Sequence, residues 1–336
     1  AHDLDRPPER PLRRHAFDRP DHDRRGRQAV QAQRALDLAS TTDAADARAR
    51  ALDRVEMASR ALGQTTNGVF AREALALYED LHDLEAVSRV TNNLGAETFF
   101  AGDWVAARRY YAESADMARR IGDVVGAATT DCNQAEVLVF CGRAEEAIEL
   151  LEPAIRVFRS VRSEGDVAFA SVLLGRSLSM LGELPRAISV LSDAVASPAS
   201  QAERAQLVDG SIALAEAWLR AGDVSLARST IDNVRDSARS EIPSLYPALA
   251  TVQAETLAAA EDVTGALEAC ASGRASAVEQ GLPYNEAVLT VLEHEIAGHR
   301  GLSALAPDDS MQFLARLGVT DLDRVLVTPR RLSFSE

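Results

Sequence analysis

Asn93–Ser114 reads NLGAETFFAGDWVAARRYYAES, and these residues decide the fold. Two stretches of helical periodicity meet at Gly102-Asp103, so a first helix ends at the glycine and a second runs back from Trp104. Glycine adopts the left-handed conformation of a helix C-terminus at little cost. The aspartate after it is a good N-cap for the next helix. The unit recurs in one frame. Gly102, Gly142, Gly182 and Gly222 stand 40 residues apart, with Glu261 in the fifth place. Five residues beyond each turn comes an alanine: Ala107, Ala147, Ala187, Ala227 and Ala266. Tyr111, Leu151, Leu191, Ile231 and Cys270 follow four residues later, on the same helical stripe. Seven residues before each turn stands a small residue: Gly95, Ala135, Gly175, Ala215 or Ala254. Helices approach closely where small residues face each other, so the Gly/Ala before the turn is expected to pack against the Ala after it.

A five-fold recurrence of helix, turn and helix predicts an all-α fold: a right-handed α-solenoid in which each repeat buries its apolar face on its neighbours. The composition agrees. Apolar residues make up 46 % and aromatic residues only 5 %, which suits close-set helix pairs better than one thick core. Residues 1–28 mix Pro, Arg and Asp with almost nothing apolar, so they read as a disordered tail. Residues 29–300 read as the superhelix. Its repeats lie at about 46–83, 84–123, 124–163, 164–203, 204–242 and 243–281, with a partial unit at 282–300. Residues 301–336 read as a C-terminal cap and tail.

Charge and cysteine content narrow the function. The net charge is −15 and the chain has no lysine, all 36 basic residues being arginine. An acidic balance argues against a nucleic-acid partner. Without lysine no GxxxxGK phosphate loop exists in these residues. No apolar run approaches the ~18 residues of a membrane-spanning helix. Cys132, Cys141 and Cys270 have no CxxC spacing and fall in helical stretches, which fits buried thiols in a reducing cytoplasm. His294 and His299 stand one residue too far apart for a zinc pair on one helix face, so no metal and no cofactor are expected.

The residues Asn93-Leu94-Gly95, Gly102-Asp103-Trp104, Ala107, Tyr110-Tyr111 and Ser114 resemble the tetratricopeptide repeat. Its common length is ~34 residues, so a 40-residue unit implies longer helices. HEAT-like repeats share the length but lack the Gly-Asp turn. Long repeats of this kind are also similar to the C-terminal regions of large bacterial signalling proteins: class III nucleotide cyclases fused to an ATPase, and LuxR- or SARP-type regulators. Gly281-Leu282-Pro283-Tyr284 and Leu314–Val319 resemble the cyclase-linked versions. The resemblance implies a bacterial, cytoplasmic regulatory module and transfers no catalytic residue.

In tetratricopeptide arrays the first helix of each pair lines a concave groove. The position after the packing Gly/Ala is Ala96, Glu136, Arg176, Glu216 and Glu255 in successive repeats, and adjacent repeats bring Glu136, Arg176 and Glu216 side by side. Such a stripe reads as a recognition surface for an extended peptide or basic segment, or as a surface ladder contributing ~0–1 kcal/mol per pair. Arg89, Asn92, Asn93 and Asn133 join the candidates, since amides suit hydrogen bonding to a peptide backbone. Phe99, Phe100, Val139, Phe140 and Met180 form a candidate apolar strip. The expected function is a non-catalytic scaffold that binds a protein, a peptide or another part of its own polypeptide. A homodimer through the end repeats is compatible with it. The alternatives are the regulatory part of a cyclase/ATPase protein and the sensor domain of a transcription regulator.

Overall fold

A computed structural model describes residues 30–39, 44–61, 68–196, 201–299 and 308–327. The tail expected at 1–28, and residues 301–307 and 328–336 of the expected cap, lie outside the described residues. Among the described residues every regular element is a helix. After α1 (30–39) come α2 (Ala45–Ala61), α3 (Val69–Asp80), α4 (Leu84–Phe100) and α5 (Trp104–Ile121). The stack continues through α6 (Val124–Phe140), α7 (Ala144–Ser160), α8 (Glu164–Met180), α9 (Leu184–Val195) and α10 (Gln201–Arg220). It is completed by α11 (Val224–Ser240), α12 (Tyr246–Ala259), α13 (Val263–Gln280) and α14 (Pro283–His299), followed by α15 (Asp308–Leu317) and the single turn α16 (Leu322–Val325).

The 40-residue period has a simple origin. Helices of 17 or 18 residues alternate with short links, as in α4, α5, α6, α7 and α8. That is about three residues more per helix than the common 34-residue unit contains. Most described links reverse the chain through one left-handed residue, whereas the α11–α12 link does so through the single 3-10 turn Pro243–Leu245. His82, Gly102, Gly122, Gly142, Arg162, Gly182, Gly222, Glu261 and Gly281 all have positive φ. At Gly102 the cap is a Schellman motif: its N–H donates to Phe99 O at 3.1 Å and the Asp103 N–H to Thr98 O at 2.8 Å. Glu261 holds the glycine's place with φ 63, which shows that the turn itself, rather than glycine, is the repeated feature. Aspartate then opens the next helix. Asp83, Asp103, Asp123, Asp223 and Asp262 each accept from the backbone N–H three residues on.

The small-residue frame packs differently from the expectation. A Cβ at Gly95 would lie 2.6 Å from the Tyr111 ring, and one at Gly175 would lie 2.4 Å from Leu191. The tight partner is therefore the large residue nine positions past the turn, not the alanine at five. Helical side chains lean toward the N-terminus of their own helix, so Tyr111 reaches down to the level of Gly95. Gly95 and Gly175 are holes for knobs. Ala107, Ala147, Ala187, Ala227 and Ala266 remain fully buried, where a larger side chain would hold the helices apart.

First helices also pack on first helices of adjacent pairs: α4 on α6, α6 on α8, α8 on α10, α10 on α12 and α12 on α14. They form the inner layer. The curvature brings distant repeats together. Tyr284 at the start of α14 lies 5.0 Å from the Trp104 ring and 5.4 Å from Phe140, and its hydroxyl donates to Phe140 O at 3.5 Å. Phe99 stacks on both Trp104 and Phe140. This aromatic cluster joins the α4–α6 repeats to α14.

Residues 308–327 do not simply end the stack. α15 packs on α14, while Leu317, Phe313 and Val319 reach the cluster of Trp104, Tyr111, Val137 and Cys141. The chain then turns at Gly318 and crosses the inner rim to Glu255.

Candidate recognition surface

The inner layer determines which side chains can meet a ligand. On α8, Arg176 follows the Gly175 hole, so its stem is held between neighbouring inner helices and it is only 8 % exposed. Its Nη2 donates to the Asp209 carboxylate at 2.7 Å and to the Asp209 carbonyl at 3.3 Å, and its Nε lies 3.7 Å from Glu216. The expected juxtaposition of Arg176 and Glu216 is present. Its setting is not a surface ladder, because Arg176 is buried and Glu216 half-buried. Glu255 on α12 is 5 % exposed and accepts the Val327 N–H at 2.6 Å.

The electrostatics follow from that burial. Burial alone would lower the pKa of Arg176, but the Asp209 and Glu216 carboxylates more than offset it, holding the guanidinium charged. Burial raises Glu216, with Arg176 and Arg220 opposing and Asp209 adding to the rise. Glu136 is pushed up to about 7 by burial and then by Asp209, with Arg176 opposing. Glu255 is pushed up to about 8 by burial, with Arg220 opposing and Glu216 reinforcing the rise.

These shifts have a definite sign. A carboxyl whose folded pKa lies above its ordinary value of 4.5 binds more protons when folded. Its favourable contribution is complete below about pH 4.5 and is lost as pH rises through the folded pKa. Stability is therefore expected to fall between about pH 5 and pH 8. Glu255→Gln removes the charge and keeps an acceptor for the Val327 N–H. At pH 8 the variant should exceed the parent by on the order of 3 kcal/mol, with near equality at pH 5. Urea unfolding at both pH values measures the difference.

The remaining candidates are engaged by neighbours. Arg89 forms an ion pair with Asp53 of α2. Asn133 Nδ2 donates to Asn92 Oδ1 at 3.0 Å, joining α6 to α4. Asn93 is half-buried beside them. Of the apolar strip, Phe99 and Phe140 enter the aromatic cluster, Val139 is core, Met180 packs against the core and Phe100 is exposed at 58 %. The cysteines Cys132, Cys141 and Cys270 are buried free thiols, and burial raises all three. Cys141 stands at the C-cap of α6 rather than within a helix.

Sequence reasoning passed over Asp209, Arg220 and Tyr284. A signal was available for the first two: they stand seven before and four after Glu216, on the same helix face. Tyr284 carried no such signal, because its partners Trp104 and Phe140 are four to five repeats earlier. Among the described residues no group of His, Cys, Asp and Glu is arranged to hold a metal ion. No described helix is long and apolar enough to cross a membrane.

The geometry defines an α-solenoid scaffold, with a charged inner face and an outer layer of packing helices. Residues 126–197 match the tetratricopeptide repeat family. No curated protein matches the sequence. Among solved structures, it resembles BtubC (BKLC) from P. vanneervenii at 20 % identity and a TM-score of 0.52, over 63 % of this chain and 90 % of that one. It also resembles a Rap protein complexed with Competence and Sporulation Factor, at 12 % identity and a TM-score of 0.58, over 91 % and 89 % of the two chains. The Rap conjugation gene regulator of plasmid pLS20, in complex with the Phr* peptide, matches at 12 % identity and a TM-score of 0.57, over 92 % and 96 %. At these identities the likeness concerns the fold.

Proposed function

We propose that this protein is a non-catalytic regulatory scaffold whose inner face recognises a peptide, or a short segment of a partner protein, by its backbone. One observation carries the reading: inner-helix side chains already hold a non-repeat backbone. Glu255 accepts the Val327 N–H at 2.6 Å, and Arg220 donates to the Arg324 carbonyl at 2.6 Å. A carboxylate and a guanidinium spaced along an inner rim can read the N–H and C=O groups of any bound strand or turn. Two structural neighbours sharing the fold are complexes, one with the Phr* peptide. The acidic balance favours a protein partner over nucleic acid, and a cytoplasmic regulatory setting is part of the proposal.

The test is selection of dodecapeptides from a random library against the intact protein, with Arg220→Gln as the comparison. Selected peptides should lose at least tenfold in affinity for Arg220→Gln, with the circular dichroism of the variant unchanged. Binders that tolerate the substitution and compete with one another would place recognition elsewhere and contradict the reading.

A further inference from the structure

The segment Gly318–Val327, GVTDLDRVLV, is held differently from the repeats among the described residues. It pairs with no repeat of its own and touches residues from four helix pairs. The Cys141 thiol donates to Leu317 O at 3.7 Å and Thr320 N–H donates to Cys141 O at 3.3 Å. Asp321 covers the Gly142 turn so closely that a Cβ there would lie 2.9 Å from the Asp321 carbonyl oxygen. By contrast, a Cβ at the turns Gly182 and Gly222 would meet nothing within 4 Å. Arg324 forms a two-pronged ion pair with Glu145 at 2.6 and 2.9 Å and also donates to Gly142 O at 3.3 Å. The Arg324 carbonyl accepts from Arg220, Leu326 is buried against the α12–α14 core, and Val327 N–H reaches Glu255.

This is the pattern of a bound peptide: main-chain groups satisfied by the receptor, one charged side chain forked onto a carboxylate, and one apolar anchor buried against the receptor's core. We infer that Gly318–Val327 is a built-in occupant of the recognition surface, and that the partner is a peptide of the same chemistry which competes with it. The matching ligand carries an arginine two residues ahead of an aliphatic anchor, in an extended or single-turn conformation. The inference rests on the inner-face reading above and adds the partner class and a means of regulation. An attached segment competes at high effective concentration, so a free peptide must bind much more tightly to displace it. Any event that weakens the Arg324 or Leu326 contacts opens the surface.

The test uses the full chain and a fluorescein-labelled peptide with the sequence of residues 316–327, RLGVTDLDRVLV, beside a scrambled control. The intact protein should bind it weakly. The double variant Arg324→Glu/Leu326→Asp should bind it at least tenfold more tightly and ignore the control. Equal affinity for parent and variant, both folded by circular dichroism and size exclusion, would overturn the inference. Should the double variant misfold, hydrogen exchange of the parent decides. Amides of 318–327 that exchange well before those of α8, α10 and α12 support a detachable occupant; exchange only with global unfolding overturns it. A library-selected peptide that needs Arg220 yet leaves exchange in 318–327 unchanged would sink this inference and spare the inner-face reading. Binding of RLGVTDLDRVLV that tolerates Arg220→Gln would sink both.

Discussion

Arg176→Met is expected to destabilise the protein by about 3–5 kcal/mol at pH 8, the cost of leaving two half-buried carboxylates without their buried counter-charge. The guanidinium is 8 % exposed and serves Asp209 and Glu216 at once. Methionine fills similar space, so a lost cavity contributes little and the penalty is electrostatic. That makes it pH-dependent. With the counter-charge gone, Glu136 and Glu216, already raised by burial, rise further and bind protons in the folded state. The deficit should therefore shrink as pH falls from 8 to 5. Arg176→Met combined with Asp209→Asn and Glu216→Gln should recover most of the loss, since removing a whole buried charge group is far cheaper than removing one member. Urea unfolding at pH 5 and pH 8 measures all of this, and a deficit equal at both would show that Arg176 acts by packing alone.

Trp104→Ala is the second large effect, at about 3–5 kcal/mol for a buried aromatic truncated to alanine. The ring is 5 % exposed, stacks on Phe99, lies 5.8 Å from Phe140 and 5.0 Å from Tyr284, and donates through Nε1 to Phe99 O at 3.2 Å. Its consequence differs from that of a core truncation confined to one repeat interface. In a simple solenoid each repeat touches only its neighbours, and a cavity weakens one interface. Trp104 instead joins the second repeat to α14, so its removal also releases the closure of the superhelix and the seat of Leu317 and Val319. A rise in radius of gyration by small-angle scattering is expected with the drop in Tm. A drop in Tm at unchanged dimensions would show that the closure does not depend on this ring.

The periodic part of this molecule was legible and the aperiodic part was not. A turn residue every 40 positions, with Ala at plus five and a large residue at plus nine, specifies helix, link and helix without any long-range information. Even Glu261 was identified as a turn by its place in the frame. The error lay one step up, in which residues touch: the lean of Tyr111 and Leu191 toward the links decides that Gly95 and Gly175 receive them, and spacing alone does not show lean. The stripe Glu136, Arg176, Glu216 and Glu255 was found by register, but its burial was not. Arg176 is buried between neighbouring inner helices, and Glu255 is covered by Val327 from a segment that does not repeat. Residues 308–327 read as a cap because nothing in LGVTDLDRVLV announces contact with Cys141, Glu145, Arg220 and Glu255, which lie far away in the sequence.

The central claim is that recognition takes place on the inner face, and hydrogen exchange of the intact protein with a library-selected peptide tests it most directly. Backbone capture along the rim predicts slowed exchange in α8, α10 and α12 on adding peptide, with the outer helices α9 and α11 unchanged. Protection confined to the outer helices, or to the ends of the stack, would contradict it.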